Sequence, residues 1–327
     1  MKKTTGGDLQ VVYDQINFKK AYYDEYTGEK LPEELVRAAM IEELNYFSEE
    51  GVWENAEYAE LKSNPKATHV RMRWVLCNKW DEKSPDVRAR HVACEIAHEK
   101  ESAFYASTPP LEAKKWLFSR YARERTRDGK PLQLSFVDAK KAYFYGKPNR
   151  DIYMTLPREL GLSASLLAKQ TRCVYGTRDA GMIWEETYRA ALEGMGLVAG
   201  KASPCCFHHV KRGLSLVVHG DDFTALGTDE GLDWYTQQME AVFEIKIRGR
   251  IGLGCDLKEI KILNLVVRID EEPGLLYEAD PRHTELLTAA MGLELGSSVK
   301  TPGVKPAGIS AEAPKGEEGA LGLGDRH

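Results

Sequence analysis

The chain has 327 residues, 43% hydrophobic and 29% charged, which excludes a fibrous or low-complexity protein and suits a soluble globular one of one or two domains. No uncharged apolar run approaches the roughly 18 residues of a membrane span, and Met1-Lys2-Lys3-Thr4-Thr5-Gly6-Gly7-Asp8 lacks a signal peptide's apolar stretch, so the protein is expected to be intracellular and not secreted. Formal net charge is −5, but residues 1–60 carry 6 basic and 14 acidic side chains while residues 71–130 carry 14 and 9, and it is a local basic surface that attracts phosphates.

Residues 1–30 are polar and aperiodic and read as a leader or linker. From Pro32 a helix is expected, with Glu33 and Glu34 at its positive end and Val36, Met40, Leu44 and Phe47 at helical spacing. Between 70 and 94 the period changes to two. Val70, Met72, Trp74 and Leu76 alternate with Arg71, Arg73 and Val75, a polar turn follows at 81–86, and residues 87–93 return, giving a hairpin with one basic face. A second helix is predicted over 112–127, with Ala113, Trp116, Leu117 and Tyr121 as its apolar stripe. Lys114, Lys115, Arg120, Arg123, Arg125 and Arg127 would form a solvated face around it.

Leu132, Leu134 and Phe136 then alternate in a strand that ends on Asp138. A helix over 180–195 carries Trp184, Tyr188, Ala191, Leu192 and Met195. After Pro204 a three-strand meander runs over 205–210, 214–218 and 223–226, and a helix follows at 231–243. Residues 246–277 resemble short strands punctuated by Gly249, Gly252 and Gly254. The glycine- and proline-rich stretch from Thr301 reads as a disordered tail.

Asp221-Asp222 is the chain's one adjacent aspartate pair, at a tight turn for which Gly220 supplies backbone freedom. In isolation Gly-Asp-Asp is a polar turn. Asp138, which ends a separate apolar strand, changes its meaning: a sheet pairing these strands would gather three carboxylates. That set suits Mg²⁺, and a two-metal centre for in-line phosphoryl displacement needs such an arrangement. Cys205, Cys206, His208 and His209 look like a zinc cluster, but neighbours in a strand face opposite ways, so buried thiols and strand histidines are expected. With no CxxC pair among six cysteines, a reducing compartment fits.

Asp138-Ala139-Lys140-Lys141-Ala142-Tyr143, with Gly146, Ile152-Tyr153-Met154 and Pro157 after it, resembles the first catalytic motif of copia-type retrotransposon reverse transcriptases. Val174-Tyr175-Gly176-Thr177-Arg178-Asp179-Ala180-Gly181 with Trp184 is similar to that family's LYGLKQAPRxW block. Val218-His219-Gly220-Asp221-Asp222 stands where its YVDD hairpin stands. Upstream, Ala39-Met40, Glu42-Glu43-Leu44, Trp53, Trp74-Val75, Lys79, Arg88-Ala89-Arg90 and Val92-Ala93 follow its order; downstream, Tyr277, Leu286-Leu287, Met291 and Thr301-Pro302 do so. The similarity runs colinearly over about residues 30–302.

The resemblance implies an α+β right-hand polymerase over residues 31–302. It would have fingers, an antiparallel palm sheet flanked by helices, and a partial thumb or connection from about 231, with residues 303–327 as tail. It implies an RNA-directed DNA polymerase (reverse transcriptase) region of a Pol polyprotein, a nucleotidyltransferase acting on dNTPs and a primer paired to RNA or DNA. Asp138, Asp221 and Asp222 would be the catalytic and metal-binding carboxylates for two Mg²⁺ ions, Mn²⁺ being a substitute. Lys79, Arg88, Arg90 and Tyr143 would hold the dNTP, although an aromatic in an Ala-Tyr-Phe-Tyr run is as a rule core. Arg178, His219 and Gly220 would meet template or primer.

His219 and Gly220 replace the family's Tyr and Val beside the primer end. Asp179 replaces its Gln, which puts a negative charge where nucleic acid would pass, and Gly181 replaces its Pro. Arg248-Gly249-Arg250-Ile251-Gly252 and Leu263-Asn264-Leu265 match the DLG and FLG elements only loosely. The alternatives are a decayed retroelement fragment that binds nucleic acid without catalysis and a palm-fold RNA-dependent RNA polymerase. Protease, integrase and ribonuclease H motifs of the polyprotein do not occur in this sequence. A cytoplasmic virus-like particle or the nucleus would be the site of action, without membrane.

Overall fold

Apolar side chains at three- and four-residue spacing produce helix α1 (Glu33–Glu49), whose Val36, Met40, Leu44 and Phe47 are fully buried. The computed structural model describes residues 21–79, 85–96, 104–126, 129–163, 165–269 and 274–292. Contacts divide the chain into two units, Met1–Glu278 and Ala279–His327. Among the described residues the fold is mixed α+β.

In the first unit α1 packs on the hairpin of β5 (Met72–Asn78) and β6 (Val87–Ala93), whose register runs from Met72 opposite Ala93 to Asn78 opposite Val87. That pairing sets Leu76 and Ala89 inward against α1 and puts Arg73, Arg88 and Arg90 together on the other face. Residues 80–84 of the expected turn lie outside the described residues. The segment read as a leader is in part structured: β1 (Tyr22–Tyr23) pairs with β2 (Lys30–Leu31), and Asp24 accepts from the Tyr26, Thr27 and Asn78 amides. A four-stranded sheet of order β3-β9-β8-β4 lies in the same part of the chain: β3 is Trp53–Glu57, β4 Thr68–Val70, β8 Ile152–Thr155 and β9 Leu166–Gln170. The short helix α2 (Tyr58–Ser63) follows β3.

The central sheet has six antiparallel strands in the order β10-β11-β12-β13-β7-β14. They are β7 (Gln133–Ala139), β10 (Val198–Ala199), β11 (Cys206–His209), β12 (Leu214–His219), β13 (Asp222–Gly227) and β14 (Ile245–Gly252). Both faces are covered. Val137, Phe223 and Ala225 meet Trp184, Tyr188 and Leu192 of α4 (Ala180–Gly194) and Leu232, Tyr235 and Met239 of α5 (Asp229–Glu240). Leu134, Phe136 and Leu226 point the other way, toward Leu117, Phe118 and Tyr121 of α3 (Leu111–Arg123) and toward β15 (Glu259–Ile262) and β16 (Leu265–Ile269). β17 (Leu275–Ala279) completes a three-stranded sheet with β15 and β16. The second unit's described element is α6 (Pro281–Ala290).

Three expectations are corrected. α3 ends at Arg123, and its buried stripe is Ala113, Lys114, Leu117, Phe118 and Tyr121. Lys114 is thus not on a solvated face, and Trp116 is half exposed with the Arg120 guanidinium 4.9 Å from its ring centre. The meander's first strand stops at His209, where Val210–Arg212 forms a 3-10 turn. The helix expected over 231–243, α5, begins two residues early because Thr228 Oγ1 caps the Gly231 amide. Residues 303–327 lie outside the described residues.

Candidate active site

β7 and β13 are paired so that Asp138 stands directly opposite Asp222. Cross-strand partners share a face with their Cβ atoms about 5 Å apart, so the two carboxylates emerge together beyond Phe136 and Thr224. Asp221 lies in the turn between β12 and β13, where its carbonyl accepts from the Ala139 amide at 2.9 Å and ties the turn to β7. Gly220 takes φ 63, which a side chain would resist, and its carbonyl accepts from the Trp184 indole at 2.9 Å. The hairpin tip is thus fixed from both sides.

Crowding shows in the acidities. Burial, and then the Asp221 and Asp222 charges, raise the Asp138 carboxyl above its ordinary range, with Arg248 and Lys246 pulling against them. Burial also raises Asp222; Arg248 and Lys114 oppose the rise and Asp221 adds to it. Arg248 Nη1 donates to Asp222 Oδ1 at 3.1 Å. Lys114 is 4% exposed and its Nζ has no hydrogen-bond partner. Burial pushes its ammonium down to about 8, against the attraction of Asp222.

Asp138 and Asp221 open onto a cleft of about 650 Å³ that Lys246 and Arg248 line beside them, together with Lys79, Arg88 and Arg90 and the acidic Glu42, Glu43 and Asp86. Arg90 is steadied by the Tyr175 ring, 4.8 Å from its guanidinium carbon. Tyr175 is in turn locked by its neighbour. Gly176 has φ 90, and a Cβ there would lie 2.0 Å from the Ala93 carbonyl, so only glycine lets this loop reach β6. Lys141, at φ 52, lines the cleft from below and pairs with the buried Glu43.

The other sequence candidates divide. Tyr143 is not a lining residue; its ring sits 4.8 Å behind Tyr175, and burial followed by the Asp221 charge raises its phenol. His219 pairs with Asp222 across the hairpin, its imidazole lowered by burial and by Lys114. Arg178 is not brought to this cleft. It lines a separate one of about 620 Å³ with Arg71, Arg150, His69 and Phe104, and its guanidinium lies over the Phe104 ring. Asp179, expected as a negative charge in the path of nucleic acid, is fully buried and held by Arg150 Nε and Nη2 at 3.0 Å. Cys205 Sγ meets the Ser107 carbonyl and His208 Nδ1 meets Ser215 Oγ, so these side chains have separate partners.

Lys114 and Arg248 are the site neighbours that pattern reading missed. Lys114 was findable: Lys114, Leu117, Phe118 and Tyr121 share three- and four-residue spacing, whereas Trp116 falls off that stripe. For Arg248 there was no local signal, because its position depends on a bulge in β14.

The donor set suits a hard cation. Asp138 and Asp221 offer only oxygen, and burial, followed by the Asp221 and Asp222 charges, raises the Asp138 carboxyl against the pull of Arg248 and Lys246. Among the described residues no group of three or more His, Cys, Asp or Glu side chains is gathered at metal-ligand spacing, and Asp222 is engaged by Arg248. Mg²⁺ commonly takes one or two carboxylates plus substrate phosphates, and that smaller set fits here.

No family model matches the chain. Among solved structures, a telomerase from Candida albicans in complex with a TWJ fragment of telomeric RNA is similar at 7% identity and a TM-score of 0.44. The likeness covers 79% of this chain and 52% of the telomerase chain, so the protein spans about half of that chain's length. No described helix is long and apolar enough to cross a membrane.

Proposed function

We propose that this chain is the reverse transcriptase region of a copia-type retrotransposon polyprotein, an RNA-directed DNA polymerase that joins dNTPs to a primer 3′-end on an RNA or DNA template. The observation that carries the proposal is the cross-strand pairing of Asp138 with Asp222 beside Asp221, at the mouth of a cleft that Lys79, Arg88 and Arg90 also line. Colinear motifs over most of the chain support it independently.

Asp138 and Asp221 would hold Mg²⁺, and Asp222 would join them as Arg248 leaves it. The bound ions would supply activation of the primer hydroxyl and neutralisation of the leaving pyrophosphate. Arg88 and Arg90 grip triphosphate oxygens, since a guanidinium matches them with two parallel donors, and Lys79 adds a point charge at the rim. Tyr175, which lines the cleft and is backed by Tyr143, would bound the sugar side and favour deoxynucleotides. Arg178, stacked on Phe104 in the second cleft, serves the template.

The test is primer extension on an RNA template with dNTPs and with rNTPs. Mg²⁺-dependent incorporation of dNTPs, lost in Asp138→Asn and in Asp221→Asn with the far-UV spectrum unchanged, is the expected result. Extension retained by either variant would remove that residue from the metal site, and preferential use of rNTPs would select an RNA polymerase instead. The Arg248–Asp222 ion pair favours a second reading, a decayed copy that binds nucleic acid without catalysis. Template binding without any extension by the wild type would establish it.

A further inference from the structure

We propose that Arg248 is a tethered counter-cation of the carboxylate corner, which a divalent ion must displace from Asp222, so that metal uptake and release of Arg248 into the cleft form one exchange. The inference deepens the polymerase reading and rests on it. β14 pairs with β7 with Lys246 opposite Asp138 and Ile247 opposite Val137, but Gly249, not Arg248, stands opposite Phe136. Arg248 is therefore the extra residue of a β-bulge, the device by which a strand re-aims one side chain. Its guanidinium reaches past β7 to Asp222 on β13. It also bears on Asp138, so one side chain touches the charge balance of two members of the corner.

Two cations act on Asp222, and they differ in freedom. Lys114 comes from α3 and is almost wholly buried. Arg248 has 36% of its side chain exposed and stands on irregular backbone, so it can leave. It lines the same cleft as Lys79, Arg88 and Arg90, where an anionic polyphosphate would take the freed guanidinium. Without such an anion the guanidinium returns to Asp222 and opposes the metal. Arg248 is thus a positioning residue that keeps the corner's metal affinity low until substrate arrives.

The experiment measures Mn²⁺ binding to the full chain by the electron paramagnetic resonance signal of free Mn²⁺, without nucleotide. Arg248→Leu is expected to bind roughly tenfold tighter than wild type, about 1.4 kcal/mol. Arg248→Gln, neutral but polar, should match it, and Arg248→Lys, which keeps the charge, should stay within about threefold of wild type. Equal affinity in wild type, Leu and Gln variants would overturn the inference and leave the metal reading intact. Lys binding as tightly as Leu would show that charge is not the cause and would overturn it too. Absence of Mn²⁺ binding in wild type and both neutral variants would bring down the metal reading itself, and the inference with it.

Discussion

Glu95 and Asp179 meet one guanidinium, Arg150, through four hydrogen bonds of 2.6 to 3.0 Å, whereas Asp138, Asp221 and Asp222 share a hairpin corner where Arg248 alone makes an ion pair among the described residues. Both groups place carboxylates out of bulk water. In the first, a planar fork satisfies two carboxylates at once. Burial would raise Glu95, but the Arg150 hydrogen bonds and the Arg178 amide outweigh it and hold the carboxyl below its ordinary range. In the second, burial and neighbouring carboxylates raise Asp138 and Asp222 above their ordinary range, so both become weaker acids. A cluster that completes itself is structural, while one that stays short of positive charge is ready for a ligand that brings it.

The largest effect that would break this comparison is on the paired cluster. Arg150→Met leaves two buried carboxylates without their partner and is expected to cost about 3–5 kcal/mol in denaturant unfolding. A loss below about 1 kcal/mol would mean that the network carries little of the fold.

The same kind of change at the open cluster should separate activity from stability. Asp138→Asn is expected to lower primer extension at least a hundredfold while raising Tm by a few degrees, because it removes repulsion that the fold otherwise bears. A lower Tm would show that Asp138 is needed structurally and would merge the two clusters into one class.

Acid titration gives opposite signs for the two clusters. Glu95, lowered in the fold, contributes stability above its unfolded value that is lost as pH falls through its folded value. Asp138 and Asp222, raised in the fold, contribute most below the unfolded value and lose that contribution as pH rises through the folded one. His91, packed between Trp74 and Phe47, is taken by burial down to about 3. The unfolded chain binds its proton first, so about 3 kcal/mol should be lost between pH 6.5 and 4. His91→Leu should flatten that limb in a pH series of thermal melts; an unchanged slope would place the acid sensitivity elsewhere.

The smallest effect is on the surface pairs. Lys130→Ala, which breaks its exposed pair with Glu230, should change unfolding stability by less than about 1 kcal/mol. A larger loss would mean that isolated surface charges count here as much as the Arg150 network does.

Much of this molecule follows from neighbours in the chain. The spacing of Val36, Met40, Leu44 and Phe47 makes a helix wherever a core is found. Alternation over 72–78 and 87–93 makes a hairpin with arginines on one side. Gly220-Asp221-Asp222 makes a turn presenting carboxylates, because a two-residue connection needs the backbone freedom that glycine has. These are short-range consequences of period and turn chemistry. Tertiary structure alone decided that β7 lies between β13 and β14 and sets Asp138 opposite Asp222, that Asp179 is neutralised by Arg150, and that a bulge aims Arg248 across the sheet. Each of these depends on partners 26 or more positions away in sequence or on a shift in strand register, and side-chain spacing along one strand or helix carries no information about which distant segment will pack beside it.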